Sequence, residues 1–389
     1  MSISRKQLFA LCGLNIVYWT IFNGLNTMLP IYALRLGADP VSIGNYLGFA
    51  FFAVGVGAIV GGWLSDRFQR RKTWLAASII LNIFATWLMS QVTSFGSLVI
   101  ITGIVFFLQT IGFSIIIILI GLSADPTERG KIFGIVGVTG PIGSVVAGSV
   151  SGVIINQWGF AALFGGASVC WLLALMILLL VKDVSLAPLE SVTTPTVPTL
   201  SKLGTSFYIM LAANLVAFSC GFIPGLSRPL QMDGLGFDAE AISGVVAISG
   251  LVSIPLPFFL GWLSDRMNRY YVIAAAFVVG AIGLFTLAGS NLLWHFVLSN
   301  VLLIGVGGSI GISQALITDL VPPKSLGKAL SLYSTAVTFG GVIGFTSTGI
   351  AIQTFGMIAT YLGGALLTLF AVGLLFLVKS AHRREHVLA

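Results

Sequence analysis

Two groups of residues in this 389-residue chain have the types and spacing to do chemistry, and neither is a catalytic set. The first is Gly61 to Lys72, GGWLSDRFQRRK, where a long apolar run stops at Asp66-Arg67 and is followed by Arg70, Arg71 and Lys72. A carboxylate and cations at the end of an apolar segment can make and break charge contacts. An aspartate gains about 0.3–1 kcal/mol when it meets an exposed helix N-terminus. The second group is Asn15, Trp19, Asn23 and Asn26, spaced by 4, 4 and 3, which stacks three amides and an indole on one helix face. Such a stripe suits a neutral polar site with an aromatic wall, although amides in an apolar helix also bond neighbouring helices. No nucleophile–base pair or metal-ligand spacing accompanies either group. The glycine strings lack the following Lys-Ser or Lys-Thr of a phosphate loop. The chain is therefore expected not to be an enzyme, with no cofactor and no metal.

The elements that must position these groups are apolar helices. Apolar residues make up 57% of the chain and charged residues 8%, against about 25% charge in average proteins, so it is read as an integral membrane protein. A span needs about 20 apolar residues to cross about 30 Å of hydrocarbon, and a helix satisfies the backbone there. Twelve runs qualify, near residues 8–33, 42–64, 73–92, 97–122, 132–155, 160–181, 203–229, 240–263, 270–289, 293–317, 328–351 and 357–378. Lys182 to Lys202, with Pro188, Pro195 and Pro198, reads as a linker. The expected organisation is a six-helix bundle at 1–181, a cytoplasmic linker at 182–202 and a second bundle at 203–389.

The net charge of +7 does not point to nucleic acid, because the cations sit in short clusters between apolar runs without aromatic interleaving. With the N-terminus inside, 17 of the 19 cations are cytoplasmic and only Arg35 and Arg228 face the other side. The positive-inside rule then places both termini in the cytoplasm, on a multi-pass protein of the cytoplasmic membrane. Arg5 and Lys6 mimic the start of a signal peptide, but the segment reads as an uncleaved first span. Cys12, Cys170 and Cys220 all lie in apolar segments at no disulfide spacing.

The chain repeats itself at an offset of 199. Gly261 to Arg266 restates Gly62 to Arg67 letter for letter, Leu235-Gly236-x-Asp238 restates Leu36-Gly37-x-Asp39, Pro229 matches Pro30, and Asn214 matches Asn15. Parallel repeats of this kind are a known transporter architecture. These residues resemble the major facilitator superfamily, whose first half carries G-x-x-x-D-R-x-G-R-R between the second and third spans. Gly62, Asp66, Arg67, Arg70 and Arg71 fit that motif, with Gln69 in place of the usual glycine and Asn268 at its counterpart.

The resemblance implies an all-α membrane protein of 12 transmembrane helices in two parallel six-helix repeats, with a midplane cavity lined by the first, fourth, seventh and tenth helices. Beside the first-span stripe, this places Gln109, Asn214, Arg228 and Gln314 among the candidate substrate-binding residues, together with Thr110, Ser114, Ser309 and Ser313. It also implies that the Asp66 cluster latches an inner gate. Asp66 is expected at the start of the eleventh span and Asp265, beside Arg266, at the start of the fifth, with Asp125 and Arg129 as counter-charges. In the fifth span, Gly137, Gly140, Pro141 and Gly143 resemble the kinked G-x-x-x-G-P-x-x-G-G signature of drug and proton exchangers, where proline removes a backbone bond. Ala53, Gly57 and Gly61 in the second span and Gly340 and Gly344 in the eleventh mark close helix approaches. By the resemblance, these two spans slide past one another.

No Asp or Glu lies within a span, which argues against the usual intramembrane proton relay and against a strongly cationic substrate. The expected function is a secondary transporter that works by alternating access, acts as a monomer in the bilayer, and exports small neutral or weakly anionic organic compounds, with a coupling proton or ion left open. An importer of a small metabolite such as a sugar or organic acid is the alternative. A membrane sensor or scaffold that moves nothing would need a soluble domain, for which the linker and tail leave no room.

Overall fold

The computed structural model describes residues 4–68, 70–125, 128–183, 203–322 and 325–388. Gln69 and most of the 182–202 linker lie outside them. The elements are α1 (Arg5–Arg35), α2 (Pro40–Phe68), α3 (Arg71–Met89), α4 (Phe95–Ser123), α5 (Arg129–Gly137), α6 (Thr139–Leu179), α7 (Thr205–Gly221), α8 (Ile223–Gly234), α9 (Ala239–Ser253), α10 (Leu256–Arg266), α11 (Arg269–Ala288), α12 (Leu293–Leu320), α13 (Leu326–Phe355) and α14 (Met357–Leu388).

Among the described residues, ten helical stretches are long and apolar enough to cross a membrane, or eleven when α9 and α10 count as one. One stretch, Lys131–Leu179, is 49 residues long, about twice what a bilayer of about 30 Å requires at about 1.5 Å per residue. It is broken at Gly159, whose φ of 81° is strained for any residue with a Cβ. Counting it as two crossings gives the twelve that the hydropathy pattern predicts.

Burial is inverted relative to a soluble protein. Phe9 and Ile59 are each 75% exposed, whereas Asn82, Thr86, Thr102 and Ser299 are buried. Lipid tails are as apolar as leucine, so helices associate through packing and through hydrogen bonds between such residues. Tyr46 meets Thr102 at 2.8 Å, Thr86 meets Ser168 at 2.8 Å, and Ser299 donates to the Gly283 carbonyl at 2.7 Å.

The sequence repeat has a local physical cause. At Leu36-Gly37-Ala38-Asp39 the glycine takes φ 85°, and the Ala38 N–H returns to the Ala33 carbonyl at 3.1 Å, which closes α1. Asp39 then accepts the Ser42 N–H at 2.7 Å and opens α2. Gly236 repeats the φ of 85°, Phe237 bonds Met232 at 3.0 Å, and Asp238 accepts the Ala241 N–H at 2.8 Å. Each Leu-Gly-x-Asp is thus a helix stop and a helix start. Gly159 and Gly356, with φ of 81° and 84°, form a second matched pair of turns.

The chain packs as two compact units, Met1–Ala187 with Pro229–Ile254, and Pro188–Arg228 with Pro255–Ala389. In the first unit α6 lies along both α1 and α9. Its contact with α9 runs through Gly148, Gly152 and Gly250, each of which faces backbone atoms of the opposite helix, and the Gly152 N–H donates to Ser243 at 3.2 Å. Gly57 and Gly61 likewise face the backbone of α4 at Phe107 and Ile111. The second unit is built on Phe207, Met210, Phe277, Tyr333 and Ala371. There Gly340 and Gly344 face Phe218 and Ser219 of α7. The small faces of the second and eleventh spans are therefore taken up by α4 and α7 respectively.

Candidate functional site

The first unit contains a cavity of about 480 Å³ between α1, α2 and α4. Its wall includes Tyr18, Trp19, Phe22 and Phe113, with Val54 and Ala58 on α2 and Gln109, Thr110 and Ser114 on α4. Among the described residues, no charged side chain lines it. The rings meet edge to face, Trp19 with Phe113 at 5.4 Å and with Phe22 at 5.8 Å between centroids, an arrangement favoured by the ring quadrupoles. Gln109 is 4% exposed, and its Nε2 donates to the Tyr18 carbonyl at 2.8 Å, which locks α4 to α1 behind the pocket. Its Oε1 has no partner among the described residues. Gly62 of the charged motif also reaches the wall, one turn from Asp66.

Glycines seat the aromatic wall. Gly143 lies against the Trp19 Cβ and the Thr20 N–H, Gly140 against the indole at ordinary contact distance, and Gly112 against the Tyr18 hydroxyl. The fifth span breaks at Val138, between α5 and α6, three residues before Pro141. Proline has no N–H to return to the Gly137 carbonyl four residues back, and α5 ends at Gly137. Asn15, 1% exposed, donates to Thr139 at 2.7 Å at this break, and Thr139 in turn donates to the Val136 carbonyl at 2.6 Å. Gly137 itself faces open space.

Of the first-span stripe, the structure brings Trp19 to the cavity with Gln109. Asn15 serves the helix break, and Asn23 donates to the Trp19 carbonyl of its own helix at 2.8 Å. Asn26 is half-buried one turn further along. In the second unit, Asn214 is fully buried, donating to the Met210 carbonyl at 2.9 Å and accepting from Ser313 at 3.0 Å. Gln314 is exposed on α12, and Arg228 is buried on α8 with Asn300 as its partner. Tyr18, Phe22 and Phe113 escape a search for polar chemistry. The signal available on α1 is the aromatic group Tyr18, Trp19 and Phe22, while Phe113, on α4, carries none of its own.

The charged motif splits into two roles. Asp66 and Arg67 are exposed at the end of α2, and Arg70 is exposed at the N-cap of α3. Arg71 is 3% exposed and donates through Nε to Ser65 at 2.8 Å. The Lys72 ammonium donates to the Val181 carbonyl at 2.6 Å, where the negative end of the α6 dipole favours a cation. Gln7 and Lys182 exchange two hydrogen bonds at 2.9 Å. The starts of α1 and α3 and the end of α6 are thereby tied together on one face. In the second unit Asp265 is exposed, Arg266 stacks 4.2 Å over Trp262, and Arg269 pairs with Asp319 at 2.6 Å. Asp125 is half-buried after α4; Arg129 opens α5, and its side chain lies outside the described residues.

The family model of the Major Facilitator Superfamily matches residues 11–308 and 209–389. The chain belongs to this superfamily. It is a multi-pass secondary transporter of a small-molecule substrate, not an enzyme. Among curated relatives, this facilitator is 23% identical over 353 residues to an uncharacterized MFS-type transporter of Methanocaldococcus jannaschii, covering 86% of this chain and 88% of that one. It is 24% identical over 338 residues to Sugar efflux transporter A of Dickeya chrysanthemi, covering 84% of each. A stretch of 171 residues, 41% of this chain and 42% of the relative, is 29% identical to Multidrug resistance protein MdtG of Salmonella typhi. Among solved structures, the nucleoside transporter NupG superposes with a TM-score of 0.78 at 15% identity, covering 96% of this chain and 98% of that chain. A D-xylose-proton symporter superposes with a TM-score of 0.75 at 16% identity, covering 95% and 96%. These likenesses establish the fold.

Proposed function

We propose that this facilitator exports small, largely apolar organic compounds, neutral or weakly anionic, across the cytoplasmic membrane by alternating access, and that it takes them into the cavity between α1, α2 and α4. The observation that carries the reading is the cavity wall: aromatic and aliphatic, without a charged side chain, and supplied with a few uncharged polar groups. Such a wall rewards apolar surface and offers no ion-pair partner to a strongly charged solute. The efflux proteins among the relatives and the glycine–proline run of the fifth span favour export over import. Trp19 and Gln109 contact the substrate, Asn15, Asn23 and Asn26 shape α1 around it, and Asn214, Arg228 and Gln314 are the corresponding groups of the second unit. The face that carries Gln7, Lys72 and Lys182 is cytoplasmic, as are both termini, because the cations gather there. On that face Gly62, Asp66, Arg67, Arg70 and Arg71, with Asp125, Arg129, Asp265 and Arg266, work the inner gate.

The test is vectorial transport of the neutral fluorophore N-phenyl-1-naphthylamine in energised everted vesicles and in right-side-out cells. Export predicts accumulation in everted vesicles, with an apparent KM about 10- to 100-fold higher in Trp19→Ala, the loss of about 1.5–3 kcal/mol of apolar contact. Accumulation in right-side-out cells alone would reverse the direction. An unchanged KM in Trp19→Ala would remove the cavity from the pathway.

A further inference from the structure

The second unit buries a cation that none of its described carboxylates neutralises. Arg228 lies on α8, seven residues before Leu235, so about 10 Å inside the turn that ends the helix, and it is 7% exposed. A guanidinium has five N–H donors and no acceptor. One donates to Oδ1 of Asn300 on α12, and Nε has no partner among the described residues. Two ion pairs form among those residues, Arg35 with Asp233 and Arg269 with Asp319, and neither involves Arg228. Beside it stand Tyr361 and Ser227, both 0% exposed, the Ser227 hydroxyl donating to the Ile223 carbonyl at 2.7 Å. Three helices, α8, α12 and α14, thus converge on one charge.

A hydrogen bond to a neutral amide does not compensate a charge taken out of water. An arginine that merely packs would extend to the headgroups and expose its fork, as a snorkelling side chain does; this one is enclosed. We propose that Arg228 is the binding residue of an oxyanion site, with Asn300 as the residue that positions its guanidinium and Tyr361 closing the far side. The ligand is a singly charged oxyanion, either the carboxylate of an organic solute or a lipid phosphate. A guanidinium fork matches both geometrically. If the solute is the source, the site is where weakly anionic substrates are held. That consequence rests on the transport reading given above; the anion binding itself does not, and is measured without transport.

The experiment uses the full chain purified in an uncharged maltoside detergent, with binding read by thermal shift and calorimetry. The probes are benzoate, its neutral isostere benzamide, and dioctanoyl-phosphatidylglycerol. Benzoate is expected to raise Tm and benzamide to leave it unchanged. Arg228→Gln is expected to raise the benzoate Kd at least tenfold, Arg228→Lys to fall between it and the native chain, and Arg35→Gln to have no effect. Should Arg228→Gln fail to fold, Arg228→Lys and Asn300→Ala carry the same comparison. Binding of the lipid without benzoate would assign the anion to a headgroup and overturn the substrate source. Binding of neither, or equal binding of benzoate and benzamide, or an unchanged benzoate Kd in the Arg228 and Asn300 variants, would overturn the site.

Discussion

The glycines of the fifth span give a graded experiment on how the cavity is built. A Cβ at Gly143 would stand 2.5 Å from the Trp19 Cβ, 2.9 Å from the Thr20 nitrogen and 3.0 Å from the Trp19 carbonyl carbon. Carbon atoms settle at about 3.5–4.0 Å, so Gly143→Ala must push α1 away from α6 by about 1 Å. Two of the three obstacles are backbone, so rotating a side chain does not relieve the clash. Overpacking of this size costs about 1–3 kcal/mol, and the displaced element carries Trp19, the indole wall of the pocket. At Gly140 the nearest indole atom would be 3.5 Å away, an ordinary contact, and at Gly137 nothing lies within 4 Å. The expected order of harm is therefore Gly143→Ala well above Gly140→Ala, with Gly137→Ala neutral or slightly stabilising because alanine narrows the unfolded ensemble. Each variant is purified, its Tm measured by intrinsic fluorescence, and its fluorophore efflux compared at equal membrane content. Gly143→Ala should lower Tm and raise the apparent KM, while Gly137→Ala matches the native chain in both. Equal behaviour of Gly143→Ala and Gly137→Ala would refute the claim that this motif seats the pocket wall.

Three further substitutions probe other parts of the fold. A Cβ at Gly148 would overlap the Ala247 nitrogen and stand 2.6 Å from the Ser243 carbonyl oxygen, so Gly148→Ala should cost about 1–3 kcal/mol by overpacking and lower Tm; an unchanged Tm would mean that α6 and α9 do not pack this way. Asp66→Asn keeps the size of an exposed side chain and removes its charge, so it should leave Tm unchanged while slowing transport and increasing labelling of cytoplasmic-face cysteine probes; normal rates and labelling would exclude a gating role. The Ser42 and Val41 contacts hold the Asp39 carboxyl below its ordinary range, so its stabilising contribution is complete above that range and is lost as pH falls through the lowered value. Asp39→Ala should therefore reduce Tm at neutral pH, with the deficit closing in acid, and a deficit that persisted there would assign it to something other than the charge.

How much of this was legible from sequence depended on contrast. Span boundaries stood out because apolar runs end at charges and turn residues, and the Leu-Gly-x-Asp repeats because each letter has a separate task in stopping one helix and starting the next. The pocket wall had no such contrast: Tyr18, Phe22 and Phe113 are three aromatic residues in a chain that is 57% apolar. The amides drew attention because they are costly in lipid, yet the structure engages Asn15 at Thr139 and Asn23 at the Trp19 carbonyl. Composition reports that a polar group needs a partner but not whether that partner is protein or solute. Long-range pairs were equally silent. Arg269 and Asp319 lie 50 residues apart, and nothing local joins them. One division between the compact units falls in the proline-rich linker, between Ala187 and Pro188, while two others, within α8 between Arg228 and Pro229 and after Ile254, carry no comparable mark in the sequence. What connects the legible and the hidden parts is glycine. Gly112, Gly140 and Gly143 are visible in sequence as small residues, and their effect is to leave room for Tyr18 and Trp19, so the shape of the pocket is written in the side chains that are missing around it as much as in those that line it.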